Sequence, residues 1–194
     1  MRKETEAFND AELFAILRVS YILSAVDGEI SESEIVRFAK ILEQIFGEDN
    51  YAKRETLMFL EGIMDDAERL LKLRRFYHSS EVMVEAFMAK VEPSLNVLKK
   101  NPCAMRVGFA VWIGMGYADG VYSPIERMAI KAIAEFVKCG IDGVFLSEVE
   151  NLVCKIIDCE IHVESQVEHE EVLLRILARM DMDKEKLRTL IFSH

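Results

Sequence analysis

Apolar residues recur along this chain at intervals of three and four, the spacing that lines one face of an α-helix. No stretch alternates apolar with polar long enough to form a strand. The first helix is expected to begin at Asn9 or Asp10, with Asn9 and Glu12 spaced as an N-terminal capping box. It carries Leu13, Leu17, Val19, Tyr21, Ile22 and Leu23 and runs to about Val26. Gly28 breaks it, and a second helix runs from Ser31 to about Phe46, where Gly47 stops it. Residues 50–77 read as one long helix or two, with Leu57, Leu60, Ile63, Met64, Leu70, Leu71 and Leu73 as the core face. Ser79 or Ser80 caps the next helix, which Pro93 is expected to interrupt or kink. Lys99-Lys100-Asn101-Pro102 is the clearest boundary, and Pro102 suits the first position of an apolar helix ending near Ala118. Ser123-Pro124 opens a helix to about Lys138, and further helices are expected at 146–157, 166–180 and 184–192. The pattern predicts an all-α bundle of about seven to nine helices.

The chain also matches itself. At an offset of 92 residues, Asp27, Gly28, Ser31 and Glu34 fall on Asp119, Gly120, Ser123 and Glu126. Val19, Ile41 and Glu43 fall on Val111, Ile133 and Glu135 at the same offset. Each Asp-Gly-x-x-Ser-x-x-Glu turn follows an apolar helix and precedes an amphipathic one, which predicts a duplicated helix–turn–helix unit.

Most of the motif has a structural role. Gly28 and Gly120 end a helix where a left-handed backbone costs only glycine little. Ser31 with Glu34, and Ser123 with Glu126, form capping boxes, and Pro124 sits where its missing N–H is harmless. Asp27 and Asp119 lie at a helix C-terminus, where the macrodipole disfavours an anion by up to about 1 kcal/mol. They need compensation from a turn N–H, a cation or a basic partner. An EF-hand is excluded, because its first and third loop positions would be Leu23 and Ala25 or Met115 and Tyr117.

Charge narrows the function. The 194 residues are 51% hydrophobic and 30% charged with a net charge of −10, a folded composition with no basic surplus for gripping nucleic acid. The acidic start of the chain is unlike a signal peptide. The longest uncharged stretch, 107–118, is too short to span a bilayer and reads as a helix buried on every side. Cys103, Cys139, Cys154 and Cys159 form no C-x-x-C pair and read as reduced thiols.

The two turns, Ser24-Ala25-Val26-Asp27-Gly28-Glu29-Ile30-Ser31-Glu32-Ser33-Glu34 and Gly116-Tyr117-Ala118-Asp119-Gly120-Val121-Tyr122-Ser123-Pro124-Ile125-Glu126, resemble the tellurite-resistance TerB-like family. The resemblance covers about 10–47 and 103–157, within a single domain spanning 1–194. Helices inserted at 50–100 and C-terminal helices at 158–194 complete that domain. It implies a bundle whose halves pack with approximate two-fold symmetry, bringing the acidic turns together. It also implies a cytoplasmic stress-response or interaction protein with a protein partner, in some cases membrane-associated, and no enzymatic activity. Carried over by position, Asp27, Glu34, Asp119 and Glu126 become the ligands of a divalent cation such as Ca²⁺, Mg²⁺ or Mn²⁺. In this chain the two motifs stand further apart, and Val26 replaces the usual alanine.

Other constellations are weaker. Cys154, Cys159 and His162 lack the spacing and fourth ligand of a zinc site. Gly114, Gly116 and Gly120 follow no strand, so they form no nucleotide fingerprint. His78, His162, His169 and His194 lie outside the repeat, which leaves no catalytic triad. A metal-dependent hydrolase would need an open cleft beside the carboxylates. A metal-free helical adaptor, with structural turns and an apolar docking patch in 50–100, is the main alternative. The basic cluster Lys72, Arg74, Arg75 reads as the solvated side of a helix.

Overall fold

The computed structural model describes residues 9–32, 34–35, 38–39, 41–42, 54–117, 122–138 and 141–161. Six continuous helices occur among them: α1 (Asp10–Ser24), α2 (Arg54–Arg74), α3 (Ser80–Leu98), α4 (Pro102–Gly116), α5 (Pro124–Val137) and α6 (Gly143–Ile161). Between α1 and α2, residues 32, 34, 35, 38, 39, 41 and 42 are also helical, and none of the described residues is in a strand. The described residues thus show an all-helical chain. The expected helices at 166–180 and 184–192 lie outside the described residues.

Local sequence sets the helix starts. Asn9 Oδ1 accepts the Glu12 N–H at 3.0 Å, and Glu12 Oε2 accepts the Asn9 N–H at 3.0 Å. A cap of this kind contributes about 1 kcal/mol. Asn101 opens α4 by accepting the Cys103 and Ala104 N–H groups at 3.1 and 3.2 Å, with Pro102 in the first turn. Ser79 caps α3. Both α1 and α4 are 15 residues long, both start after an asparagine cap, and both begin and end at the 92-residue offset.

Of the one long helix or two expected over 50–77, the described residues hold one, Arg54–Arg74. Of the interruption or kink expected at Pro93, the interruption does not occur, and α3 continues to Leu98. The ring takes away the N–H that would bond to the Ala89 carbonyl, but Ala89 and Pro93 are both exposed, so water can serve that carbonyl.

Helix α1 forms the centre, packed against α2, α3 and α4 and touching α5. Its residues Leu17, Val19, Ile22 and Leu23 are fully buried, with Phe87, Leu95 and Leu98 of α3 and Phe109 and Trp112 of α4. The Phe109 ring meets Trp112 edge-on at 5.2 Å and Phe145 of α6 at 6.5 Å. The buried Trp112 indole donates to the Ile16 carbonyl at 3.0 Å, and the Ser20 hydroxyl donates to the same oxygen at 2.9 Å. Arg18 of α1 and Lys90 of α3 both pair with Asp66 of α2, tying three helices at one carboxylate. None of the helices among the described residues is long and apolar enough to cross a membrane.

Candidate functional site

The first acidic turn leaves α1 through a tight backbone reversal. The N–H groups of Ala25, Val26 and Gly28 donate to the carbonyls of Ile22, Leu23 and Ala25 at 3.0–3.2 Å. Gly28 then takes φ +102°, open to glycine and strained for any other residue. A side chain there would also strike the stem of Arg74, whose Cγ would lie 2.3 Å from a Cβ. Asp27 Oδ1 accepts the Glu29 N–H at 3.1 Å, so a turn amide provides compensation at this helix C-terminus.

Ser31 and Glu34 close the turn as a capping box. The Ser31 N–H donates to Glu34 Oε2 at 2.7 Å, and the Glu34 N–H donates to Ser31 Oγ at 3.2 Å. Glu34 is buried beside Tyr21 of α1, and the Tyr21 ring packs on Phe38 at 4.7 Å. Burial, with the Glu34 charge adding to it, pushes the Tyr21 hydroxyl pKa up.

The second turn repeats the box. The Ser123 N–H donates to Glu126 Oε2 at 2.8 Å and the Glu126 N–H to Ser123 Oγ at 3.3 Å. Glu126 is 3% exposed, with Oε1 lying against Gly116 at the end of α4. A Cβ on Gly116 would come within 2.6 Å of the Tyr122 ring, so this glycine makes room for the ring beside the carboxylate. Next to it, Tyr117 and Arg127 both bond to the Glu150 carboxylate of α6, and the Arg127 guanidinium stands over the Tyr122 ring at 4.5 Å. Burial, then the Glu150 and Glu126 charges, push the Tyr122 hydroxyl pKa up.

Glu126 shows that the turns lie within electrostatic reach. Burial pushes its pKa up, the capping bonds from Ser123 act against this, and the charges of Asp27 and Glu34 raise it further, the net result being about 7. Two carboxylates of the first turn therefore act on a carboxylate of the second across 92 or more residues of chain. At the opposite ends of α1 and α4 the helix starts also meet, since Asn101 Nδ2 of the α4 cap donates to Glu12 Oε1 of the first turn of α1 at 3.2 Å.

No protein-family model, curated protein or solved structure matches this chain. What the site can do is therefore read from its own chemistry.

Of the four acidic residues expected from the sequence, Asp27 and Glu34 act electrostatically on Glu126, and Asp119 lies outside the described residues. Among the described residues no three His, Cys, Asp or Glu side chains are gathered closely enough to hold a metal ion. The side chains of Cys154 and Cys159, and His162, also lie outside the described residues. A cavity of about 570 Å³ opens between α4, α5 and α6, lined by Ile113, Tyr122, Arg127, Leu146 and Glu150 but by none of Asp27, Glu34 and Glu126. Sequence reasoning missed Arg74 over Gly28 and the Gly116–Tyr122 contact. The second had a signal: at the 92-residue offset Gly116 and Tyr122 stand where the first turn has Ser24 and Ile30, a small residue gained as a large one is added.

Proposed function

We propose that this chain is a duplicated TerB-like domain whose two acidic turns form one divalent-cation site, serving chemical-stress response through a protein partner. The observation that carries the reading is the buried Glu126 carboxylate, 3% exposed, whose pKa the charges of Asp27 and Glu34 help to raise. A buried carboxylate in a negative field gains most from a hard cation, which repays desolvation and repulsion together. Asp27, Glu34 and Glu126 would supply oxygen ligands once drawn closer together than their side chains stand here, and Asp119, at the matching place in the second turn, would supply the fourth. The equal lengths of α1 and α4, their asparagine caps and the paired capping boxes support the duplication.

Calorimetric titration with Ca²⁺, Mg²⁺ and Mn²⁺ tests the site. The parent protein is expected to bind at least one of them near one equivalent, and Asp27→Asn and Glu126→Gln are each expected to weaken binding at least tenfold. Absence of heat with all three ions would end the cation reading.

One observation favours a second reading, a metal-free adaptor. Both glutamates already serve capping boxes, so the turns are complete as structure without an ion. Its docking surface would then include the exposed Met58 and Met64 of α2, which are 61% and 56% exposed. Under this reading Asp27→Asn leaves partner capture unchanged, while Met58→Ser with Met64→Ser abolishes it.

A further inference from the structure

The end of α2 concentrates two features that the turns do not use. From Arg69 to Ser80 the chain holds Arg69, Lys72, Arg74 and Arg75 and no carboxylate, in a protein of net charge −10. At the end of this strip, Phe76 is 79% exposed and Tyr77 51%. The backbone holds the two rings out at the bend between α2 and α3. The N–H groups of Phe76 and Tyr77 both donate to the Leu73 carbonyl at 3.0 Å, and Arg74 Nη1 donates to the His78 carbonyl at 2.9 Å. The acidic residues flanking the strip are engaged, Glu68 with Lys72 at 2.7 Å and Glu81 with the Ser79 hydroxyl. Arg69 and Arg75 are exposed.

We infer that this corner docks on an anionic lipid surface, with Phe76 and Tyr77 entering the headgroup layer and Arg69 and Arg75 meeting lipid phosphates. The occupant follows from charge and shape. A basic strip in an acidic protein selects a negatively charged surface, and lipid attraction adds up per basic residue. Phenylalanine and tyrosine carry an apolar ring to the depth where the membrane interface accepts it. Two rings on one bend offer far less than the roughly 800 Å² per partner of a stable protein interface, and the cavity between α4, α5 and α6 includes neither of them. Membrane attachment of this kind combines a weak apolar anchor with a basic patch, and both are present here. Arg74 of this corner packs on Gly28 of the first turn, but the lipid contacts use none of Asp27, Glu34 and Glu126, so either reading can fail alone.

The test is co-sedimentation of the full chain with vesicles of phosphatidylcholine alone and of phosphatidylcholine with 30% phosphatidylserine (an order-of-magnitude membrane charge, roughly that of an anionic leaflet). Variants Phe76→Ser/Tyr77→Ser and Arg75→Glu alter only exposed side chains, and circular dichroism checks that they fold. The parent is expected to bind the anionic vesicles, to release at high salt and to ignore neutral ones. Each variant is expected to bind at least about tenfold less, a loss of the order of a few basic or apolar contacts. Equal binding to both vesicle types, no binding, or variants that bind like the parent would overturn the inference. So would self-association of the parent that the Phe76→Ser/Tyr77→Ser variant loses, since the rings would then cover a second copy of the chain.

Discussion

At the scale of single residues, close packing around the second turn makes the proposed duplication testable. Gly116 leaves the space that the Tyr122 ring fills, and the matching positions of the first turn hold Ser24 and Ile30. Gly116→Ser is therefore expected to cost about 1–3 kcal/mol through overpacking. Adding Tyr122→Ile, which copies the first turn's pair, should recover most of that loss in urea unfolding. If the double variant is less stable than Gly116→Ser alone, the two turns are not equivalent. Glu126 gives a second residue-scale prediction. Its folded pKa of about 7 lies above the ordinary 4.5, so the folded state holds the proton more tightly than the unfolded chain. Its stabilising contribution is complete below about pH 4.5 and is lost as pH rises through about 7. Glu126→Gln keeps an oxygen for the Ser123 N–H and carries no charge. In metal-free buffer it should flatten that part of the stability profile and be more stable than the parent at pH 8. An unchanged slope in the variant would remove Glu126 as its source. The capping role of Glu34 and Glu126 was legible because a cap is a three-residue pattern. The raised pKa of Glu126 was not, because it depends on burial and on charges distant in sequence.

Among the helices, the ends read well from sequence and the junctions did not. Asn9 with Glu12, Ser79, Asn101 with Pro102, and Ser123 with Pro124 start helices at the expected places, since each cap needs only its own neighbours. Pro93 does not break α3 because its effect depends on which side of the helix faces water. Asp66 gave no signal as the carboxylate shared by Arg18 and Lys90, nor did Asn101 as a donor to Glu12, because both pairings exist only once the helices pack. Asp66→Ala would leave two cations facing each other at the junction of α1, α2 and α3. It is expected to cost about 1–3 kcal/mol, as for loss of charged hydrogen bonds at a partly buried site. Asn101→Ala should cost about 1 kcal/mol or somewhat more, since it removes both the α4 cap and the bond to Glu12. Chemical denaturation at pH 7 checks both. Asn101→Ala as stable as the parent would mean that the two helix starts are not coupled.

For the whole molecule, the proposed function requires two turns 92 residues apart to act as one cation site. Asp27 and Glu34 of the first turn already raise the pKa of Glu126 in the second. An ion bridging them would lower the repulsion and clamp the ends of α1 and α4, turning an electrostatic cost into a link between the halves. Sequence alone could place the four acidic residues at matching positions, but whether the positions face each other is a property of the packed helices. Paramagnetic broadening by Mn²⁺ in the amide NMR spectrum of the isotope-labelled chain reads this directly, because the ion erases signals within roughly the radius of its site. The account predicts that amides of Asp27–Ser31 and of Ser123–Arg127 fade together, at the same sub-stoichiometric Mn²⁺ concentration, and that Asp27→Asn protects both sets. Fading of one turn without the other, or diffuse fading over acidic surface residues, would contradict it.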